Sequence, residues 1–364
     1  MSSLKWALSR YDDIRTMLTD SRFSSDRRAP NYPRLLDGPA LPAGARAPLI
    51  NMDPPEHTVA RRAVLGEFTV KRLAALRPRV QEIVDDHIDA MLAGPQPADL
   101  VQALSLPVPS LVICEMLGVP YTDHDYFQSQ AKQLFSRTAT QAERTRTHSE
   151  LVGYLHALVE TRAKDPADDL ISRQLANTED HEAVTALATV LLVAGHETTA
   201  NMISLGTMTL LDHPEHLRTI RDDPAKTPAA VEELLRYFTI AEFGLSRVAT
   251  ADVEVGGVLI HAGEGVITLT NTANRDPRVF AQPDEIDIER STRRHLAFGY
   301  GPHQCLGQNL ARIELEIVFT TLFDKIPDIQ PAVDTDTLPF KDDANIYGIH
   351  QFPVTWGAAT PASA

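Results

Sequence analysis

The stretch that most constrains the fold is the longest helical pattern in the sequence, Glu182 to Asp212. At 1.5 Å per residue it is about 45 Å long, enough to cross a whole domain, so the rest of the chain must be arranged along it. Its first half, Ala186 to Ala194, is almost wholly apolar. Then Gly195-His-Glu-Thr-Thr199 interrupts the apolar run. Burying a carboxylate and hydroxyls in mid-helix costs several kcal/mol unless partners or water meet them, and such a cost points to function. His196-Glu197 invites comparison with the zinc-protease pattern H-E-x-x-H, but position 200 is Ala, and that reading fails.

The second constraint is Phe298-Gly-Tyr-Gly-Pro-His-Gln-Cys-Leu-Gly307, which sets one cysteine between a glycine-rich turn and an apolar helix starting near Asn309. A loop feeding a helix N-terminus offers amide donors and the positive end of the dipole, both of which favour thiolate. Gly299 and Gly301 allow a tight backbone turn, and Phe298 can screen the sulfur from water. Read in isolation, Cys305 could equally be a structural cysteine in a strand-to-helix turn.

With 364 residues, 43% of them hydrophobic, the chain can bury a large core, and no linker divides it. We expect one domain over residues 1–364. Two cysteines far apart, Cys114 and Cys305, exclude a disulfide scaffold or a multi-cysteine zinc site and fit a reducing cytoplasm. Residues 1–30 are charged throughout, so neither a signal peptide nor a membrane anchor is expected. A net charge of −15 argues against nucleic acid as the main partner.

In chain order, Leu4 to Leu8 predicts a strand and Tyr11 onward a helix with Ile14, Met17 and Leu18 on one face. Asp26 to Ile50, rich in Pro and Gly, predicts a long loop. Asp53-Pro-Pro opens a helix on which His57 and Arg61 share a face, either as solvated surface or around an anion. Helices are predicted at Arg77–Leu92, Val108–Leu117 (with Cys114 as core), Asp123–Phe135 and Ala142–Arg162. Glu233 and Arg236 lie on one face of a helix over Ala229–Phe238. Ala249 to Thr270 alternates short strands with glycine turns. A final hairpin is expected over Asp343–Trp356.

The pattern F-x-x-G-x-x-x-C-x-G at 298–307 resembles the haem-ligand signature of the cytochrome P-450 superfamily, and the other motifs of that family follow in order from about Trp6 to Trp356. The resemblance implies the cytochrome P-450 fold: mainly α, an α-helical domain with a small β-sheet region. It lacks the N-terminal helix and first strand with which relatives usually begin, and so is expected to leave a sheet edge open beside Leu4–Leu8. It implies haem b, with Cys305 as the axial thiolate, Gly307 leaving room for the macrocycle, and Phe298 and Gly299 shaping the loop. His57, Arg61, Arg247 and His303 would bind haem propionates. Ala194-Gly-His-Glu-Thr-Thr199 resembles the oxygen-activation motif. By that resemblance Ala194 and Gly195 widen a groove for dioxygen, Glu197 relays protons and Thr198 hydrogen-bonds the oxygen. Taken alone, Thr198 could simply bond its own helix carbonyl. His196 is given no catalytic role.

By the same resemblance, Glu233 and Arg236 form a buried pair that Arg275 completes. The long loop (Arg28–Leu49), the lid residues Phe127, Leu134 and Phe135, and Ala241, Phe243, Leu245, Ile346 and Ile349 would approach a substrate. The implied reaction is monooxygenation of a medium-to-large hydrophobic secondary metabolite such as a macrolide or polyketide, or of a foreign compound. The enzyme would be a monomer drawing electrons from a ferredoxin and ferredoxin reductase. Arg61, Arg62, Lys71, Arg72, Arg290, Arg293, Arg294 and Arg312 would form the docking patch. Oxidative ring coupling, peroxygenase chemistry, nitric oxide reduction and a non-catalytic haem sensor are the alternatives.

Overall fold

The computed structural model describes residues 4–33, 47–135, 138–241, 245–290, 293–342, 344 and 346–357. Its helices are α1 (Tyr11–Thr19), α2 (Glu56–Leu65), α3 (Val70–Ala93), α4 (Pro107–Leu117), α5 (His124–Phe135), α6 (Gln141–Lys164), α7 (Leu170–Leu175), α8 (His181–Asp212), α9 (Pro214–Asp222), α10 (Thr227–Phe238), α11 (Thr270–Ala273) and α12 (Gln308–Lys325). The strands are β1 (Leu4–Leu8), β2 (Phe23–Ser24), β3 (Ala98–Asp99), β4 (Ser246–Ala249), β5 (Val253–Val255), β6 (Val258–Ile260), β7 (Gly265–Thr268), β8 (Gln330–Pro331) and β9 (Pro353–Thr355).

The long apolar run forms α8. The Asp180 side chain caps its start by accepting from the Ala183 amide at 2.9 Å, and Pro214 begins a new helix just beyond its end. Helices α4, α6 and α12 pack along it. By length and composition α8 could cross a membrane, but 56% of its most apolar window is buried in this core. Gly206 lets α12 come close: a Cβ there would lie 2.5 Å from the Phe319 ring.

A second, smaller core forms where α1 lies on the four-stranded sheet β1-β7-β4-β2. β1 runs parallel to β7 at one edge, and β4 is antiparallel to β7 and β2. Tyr11, Ile14, Met17 and Leu18, one face of α1, pack here with Phe23, Val266, Phe280 and Leu296. Leu296 leads directly into the cysteine loop, so that loop bridges the two cores.

Three expectations need correction. α3 begins at Val70, capped by Thr69, and runs through Pro78 instead of starting beside it. The ring deprives the Ala74 carbonyl of its partner on the exposed side of the helix, where water can replace it. The C-terminal strand β9 does not form a local hairpin; it lies between β3 and β8, while Phe340 bridges Ile349. Arg275 does not complete the Glu233–Arg236 pair. It stacks on Tyr237 at 3.9 Å and bonds Asp284, and Arg290 reaches Glu233 Oε1 instead, at 3.2 Å.

Glu233 and Arg236 are fully buried and joined by two bonds of 2.7 and 2.8 Å. Arg236 also donates to the carbonyls of Asn274, Pro283 and Glu285, and Asn274 Oδ1 accepts from the Leu296 amide at 2.7 Å. The network thus ties α10 to the segment that enters the cysteine loop. Replacing Arg236 with Met leaves the buried Glu233 carboxylate with Arg290 alone as counter-ion and frees three carbonyls, and should cost about 3–5 kcal/mol. Replacing Lys226, whose partner Glu289 is largely exposed, should cost at most about 1 kcal/mol. Chemical denaturation of the two variants checks this ordering.

Candidate active site

The loop after Leu296 turns through Gly299 and Gly301, with φ of 69° and 74°. Such left-handed angles suit glycine, and a Cβ on Gly301 would also lie 2.8 Å from the Leu18 carbonyl of α1. The Cys305 amide donates to the Phe298 carbonyl at 2.8 Å and closes the loop. α12 then starts at Gln308, and the amides of Gly307 and Gln308 donate towards the sulfur. The thiol pKa is nevertheless raised: burial outweighs those amides and the Arg61 and Arg312 charges. The helix N-terminus alone therefore does not make a thiolate, contrary to the expectation from sequence. A metal ion at the sulfur would supply the missing stabilisation.

Cys305 is surrounded by protein yet has an exposed side chain. Ala194 is likewise exposed although Leu191, Leu192, His196 and Glu197 around it on α8 are buried. A Cβ on Gly307 would meet nothing within 4 Å. Free surface at these positions marks a gap beside the cysteine loop and unfilled space on the Ala194 face of α8.

Positive charge collects beside this gap. The His57 and His303 rings stack with centroids 3.9 Å apart, Arg61 donates to the Gln304 carbonyl at 2.5 Å, and Arg247 is buried in β4. His303 Nε2 lies 3.1 Å from Ser25 Oγ, but the buried His57 Nε2 has no partner. Burial, followed by the neighbouring cations, pushes the His303 pKa down to about 3, and burial also lowers those of His57, Arg61 and Arg247. Asp53, which accepts from the Ser25 amide at 2.7 Å, is the acidic group set against them. An anion would relieve this strain. These residues, the orphaned imidazole nitrogen, the open Gly307 and the sulfur donor fit a flat, anionic, thiolate-ligated cofactor.

α8 continues unbroken through residues 194–199. Thr198 Oγ1 donates to the Ala194 carbonyl at 2.9 Å, leaving the hydroxyl oxygen free to accept. Gly195 does not widen the groove. It faces α4, where a Cβ would lie 3.2 Å from Ile113 Cδ1, so its smallness serves helix packing. Glu197 is 6% exposed and pairs with Lys341 Nζ at 2.5 Å, with Asn201 Nδ2 at 3.4 Å. Burial alone would raise its pKa, but Lys341, His196 and Asn201 together lower it. His196 lines a cavity of about 10 Å³ together with Ser110, Phe127 and Leu151.

Ala241 and Leu245 are half-buried near the start of β4. Ile346 is nearly buried, and Ile349 has no free surface because it bridges Phe340 in the main core; Ile349 therefore supports the wall and does not line a pocket. Phe127 is buried edge-on against Tyr154, as lid packing. Phe243, the Phe135 side chain and residues 34–46 of the long loop lie outside the described residues. In the arginine patch, Arg62, Lys71, Arg72, Arg293 and Arg294 are exposed, but Arg290 is committed to Glu233 and Arg312 to Glu232.

A family model described as Cytochrome P450 matches residues 119–326. The chain is 50% identical to pentalenic acid synthase of Streptomyces avermitilis over 356 residues, 96% of this chain and 88% of that protein. It belongs to the cytochrome P450 family. The crystal structure of cytochrome P450 MoxA from Nonomuraea recticatena superposes with a TM-score of 0.89 at 55% identity, over 97% of this chain and 90% of that one. The mycinamicin VIII C21 methyl hydroxylase MycCI from Micromonospora griseorubida, solved with mycinamicin VIII bound, gives 0.91 at 40% identity, over 96% and 90%. The fold is thus the mainly helical P450 fold with small sheets, and the protein is a P450 monooxygenase with a haem-iron cofactor.

Sequence reasoning missed Lys341, Asn201 and a triad below the P450 loop. Glu232 is bonded by Arg312 and, at 2.9 Å, by His295 Nε2, while Arg312 stacks on Phe298 at 4.6 Å. Burial opposes ionisation of Glu232, yet His295 and Arg312 hold its pKa down to about 2. A depressed carboxylate pKa stabilises the fold above the ordinary value near 4.5, and that contribution is lost as pH falls towards 2. Glu232→Gln should therefore lower the melting temperature at pH 7, with the deficit shrinking as pH drops from about 4.5 to 2. Parallel thermal melts across that range check it.

Proposed function

We propose that this P450 hydroxylates or epoxidises a medium-to-large hydrophobic secondary metabolite, such as a macrolide or polyketide, as a cytoplasmic monomer of one domain, residues 1–364. Haem b is the proposed cofactor. When bound, it supplies the iron at which dioxygen is activated, with two electrons delivered by a ferredoxin and its reductase. The chain's residues do the rest. Cys305 would ligate the iron, with Phe298 shielding the sulfur and Gly299 and Gly307 leaving room for the ring. His57, Arg61, Arg247 and His303 would hold the propionates, the arginines as cations and the imidazoles as hydrogen-bond donors. The Ala194 face admits dioxygen, the Thr198 hydroxyl orients it, and Glu197 passes protons.

Ala241, Leu245, Ile346 and, by sequence position, Phe243 face the substrate. Arg62, Lys71, Arg72, Arg293 and Arg294 receive the acidic ferredoxin despite the net charge. The observation that carries this reading is the buried cluster of His57, Arg61, Arg247 and His303, with Asp53 set against it, beside an exposed Cys305. The substrate class draws support from relatives named for pentalenic acid and mycinamicin VIII.

The reduced, carbon-monoxide-bound spectrum should show the red-shifted thiolate Soret band in the native protein and lose it in Cys305→Ser. A histidine-type band in the native protein would overturn the ligand assignment. With labelled dioxygen and a panel of macrolides, one labelled atom should enter the product. Product that carries no label when labelled dioxygen and reductant are supplied would overturn the monooxygenase reading.

A further inference from the structure

Lys341 stands far from any sequence motif, yet its ammonium meets Glu197 in the middle of α8. Both groups are almost completely buried, at 8% and 6% exposure. Taking two such charges out of water gains little stability by itself, so the pair calls for a reason beyond holding the fold. The segment that carries Lys341 suggests one. The Lys341 amide donates to the Gly348 carbonyl at 2.8 Å, and the Ala344 amide donates back to the Lys341 carbonyl at 3.2 Å. Gly348 lies so tightly on α8 that a Cβ would fall 2.1 Å from Asn201 Oδ1. Asn201 is also the second residue bonded to Glu197. The Tyr347 amide donates to the Ile240 carbonyl at 3.3 Å, next to Ala241. One short segment therefore touches the acid twice, through Lys341 and through Asn201, and reaches the wall where Ala241 and Ile346 stand.

We infer that Lys341 is a positioning residue that keeps Glu197 ionised and tethered, and that through it the chain at Lys341 and Tyr347–Gly348 couples occupation of the substrate wall to proton delivery. The inference rests on the reading of Glu197 as the proton-passing acid. A carboxylate bonded to an ammonium is a poor proton donor, and loosening the tether frees it to take up and pass a proton. The groups facing Glu197 are Lys341, Asn201 and the neighbouring His196.

Two readouts test this in the haem-loaded protein without knowledge of the substrate. The first is the infrared carbonyl band of a protonated carboxyl group. Lys341→Met should create such a band, absent from the native protein and from Lys341→Arg, and Glu197→Gln in the Lys341→Met background should remove it. The second is the solvent deuterium isotope effect on oxygen consumption driven by NADPH through a plant-type ferredoxin and its reductase. Without substrate, one NADPH, one proton and dioxygen give hydrogen peroxide and NADP⁺, whereas two NADPH, two protons and dioxygen give two waters and two NADP⁺. Both routes need protons delivered at the site.

Lys341→Met should change the isotope effect at least twofold, and Lys341→Arg should restore it. Gly348→Ala, which keeps the lysine but displaces the segment, should shift it in the same direction as Lys341→Met. If Glu197→Gln changes the isotope effect while Lys341→Met and Gly348→Ala match the native protein, the positioning role is overturned and the acid's role stands. If Glu197→Gln itself leaves the effect unchanged, the acid's role fails and the inference with it. Absence of the new infrared band in Lys341→Met would overturn the ionisation claim. If Lys341→Met does not fold, Gly348→Ala and Lys341→Arg decide.

Discussion

A carboxylate and a guanidinium with no access to solvent, Glu233 and Arg236, are the joint on which the rest of this P450 depends. Neither could be buried alone. Once paired, the guanidinium still has donors left, and it spends them on the carbonyls of Asn274, Pro283 and Glu285. That ties an irregular segment, held otherwise by short-range turn bonds, to α10. Asn274 then passes the constraint to Leu296, so the geometry at Cys305 is inherited from an ion pair many residues earlier. The loop also rests on both hydrophobic cores, with Leu296 in the sheet-side cluster and Phe298 and Leu306 against the helical one. Rigid support on both sides lets two left-handed glycines hold the sulfur without a regular element beneath it.

Electrostatically the site is built against its own stability. Burial lowers the pKa of His57, His303, Arg61 and Arg247 and raises that of Cys305, so every one of these groups is disfavoured in its charged form. Sites that store such cost do so because a ligand repays it. An anionic macrocycle would neutralise the cations while its iron takes the sulfur as thiolate. The same reasoning explains why the triad of Glu232, His295 and Arg312 sits just below: it is neutral in sum apart from what His295 carries, so it steadies Phe298 through Arg312 without competing for the cofactor.

Local rules made much of this legible. The one-sided pattern of Tyr11, Ile14, Met17 and Leu18, the apolar run of α8 and the glycines around Cys305 each follow from periodicity or backbone sterics within a few residues. What could not be read were partners chosen by tertiary packing. Arg275 and Arg290 are both plausible third members of the Glu233 network, and only the path of the chain selects Arg290. Gly195 sits in a motif yet answers to Ile113 on another helix. Pro78 looks like a helix start, but Thr69 caps α3 earlier and the Ala74 carbonyl left without a donor faces solvent. The family resemblance sets Ile349 near the substrate, but it is core instead.

Glu197 shows why such partners matter to function. From sequence it is one carboxylate in an apolar helix, and its protonation state is open: burial favours the neutral acid, a nearby cation the anion. The structure decides for the anion, because Lys341, 144 positions away in the chain, places its charge on Oε1. Had the counter-ion come from α8 itself, at i+3 or i+4, it would have moved with the acid and made a constant pair. Coming from a separate segment held against α8 at Gly348 and tied to Ile240 at Tyr347, it depends on how that segment is seated, so the strength of the pair is a property of the loop. An acid whose ionisation is set by a loop beside the candidate substrate wall is one that a bound molecule can alter without touching it.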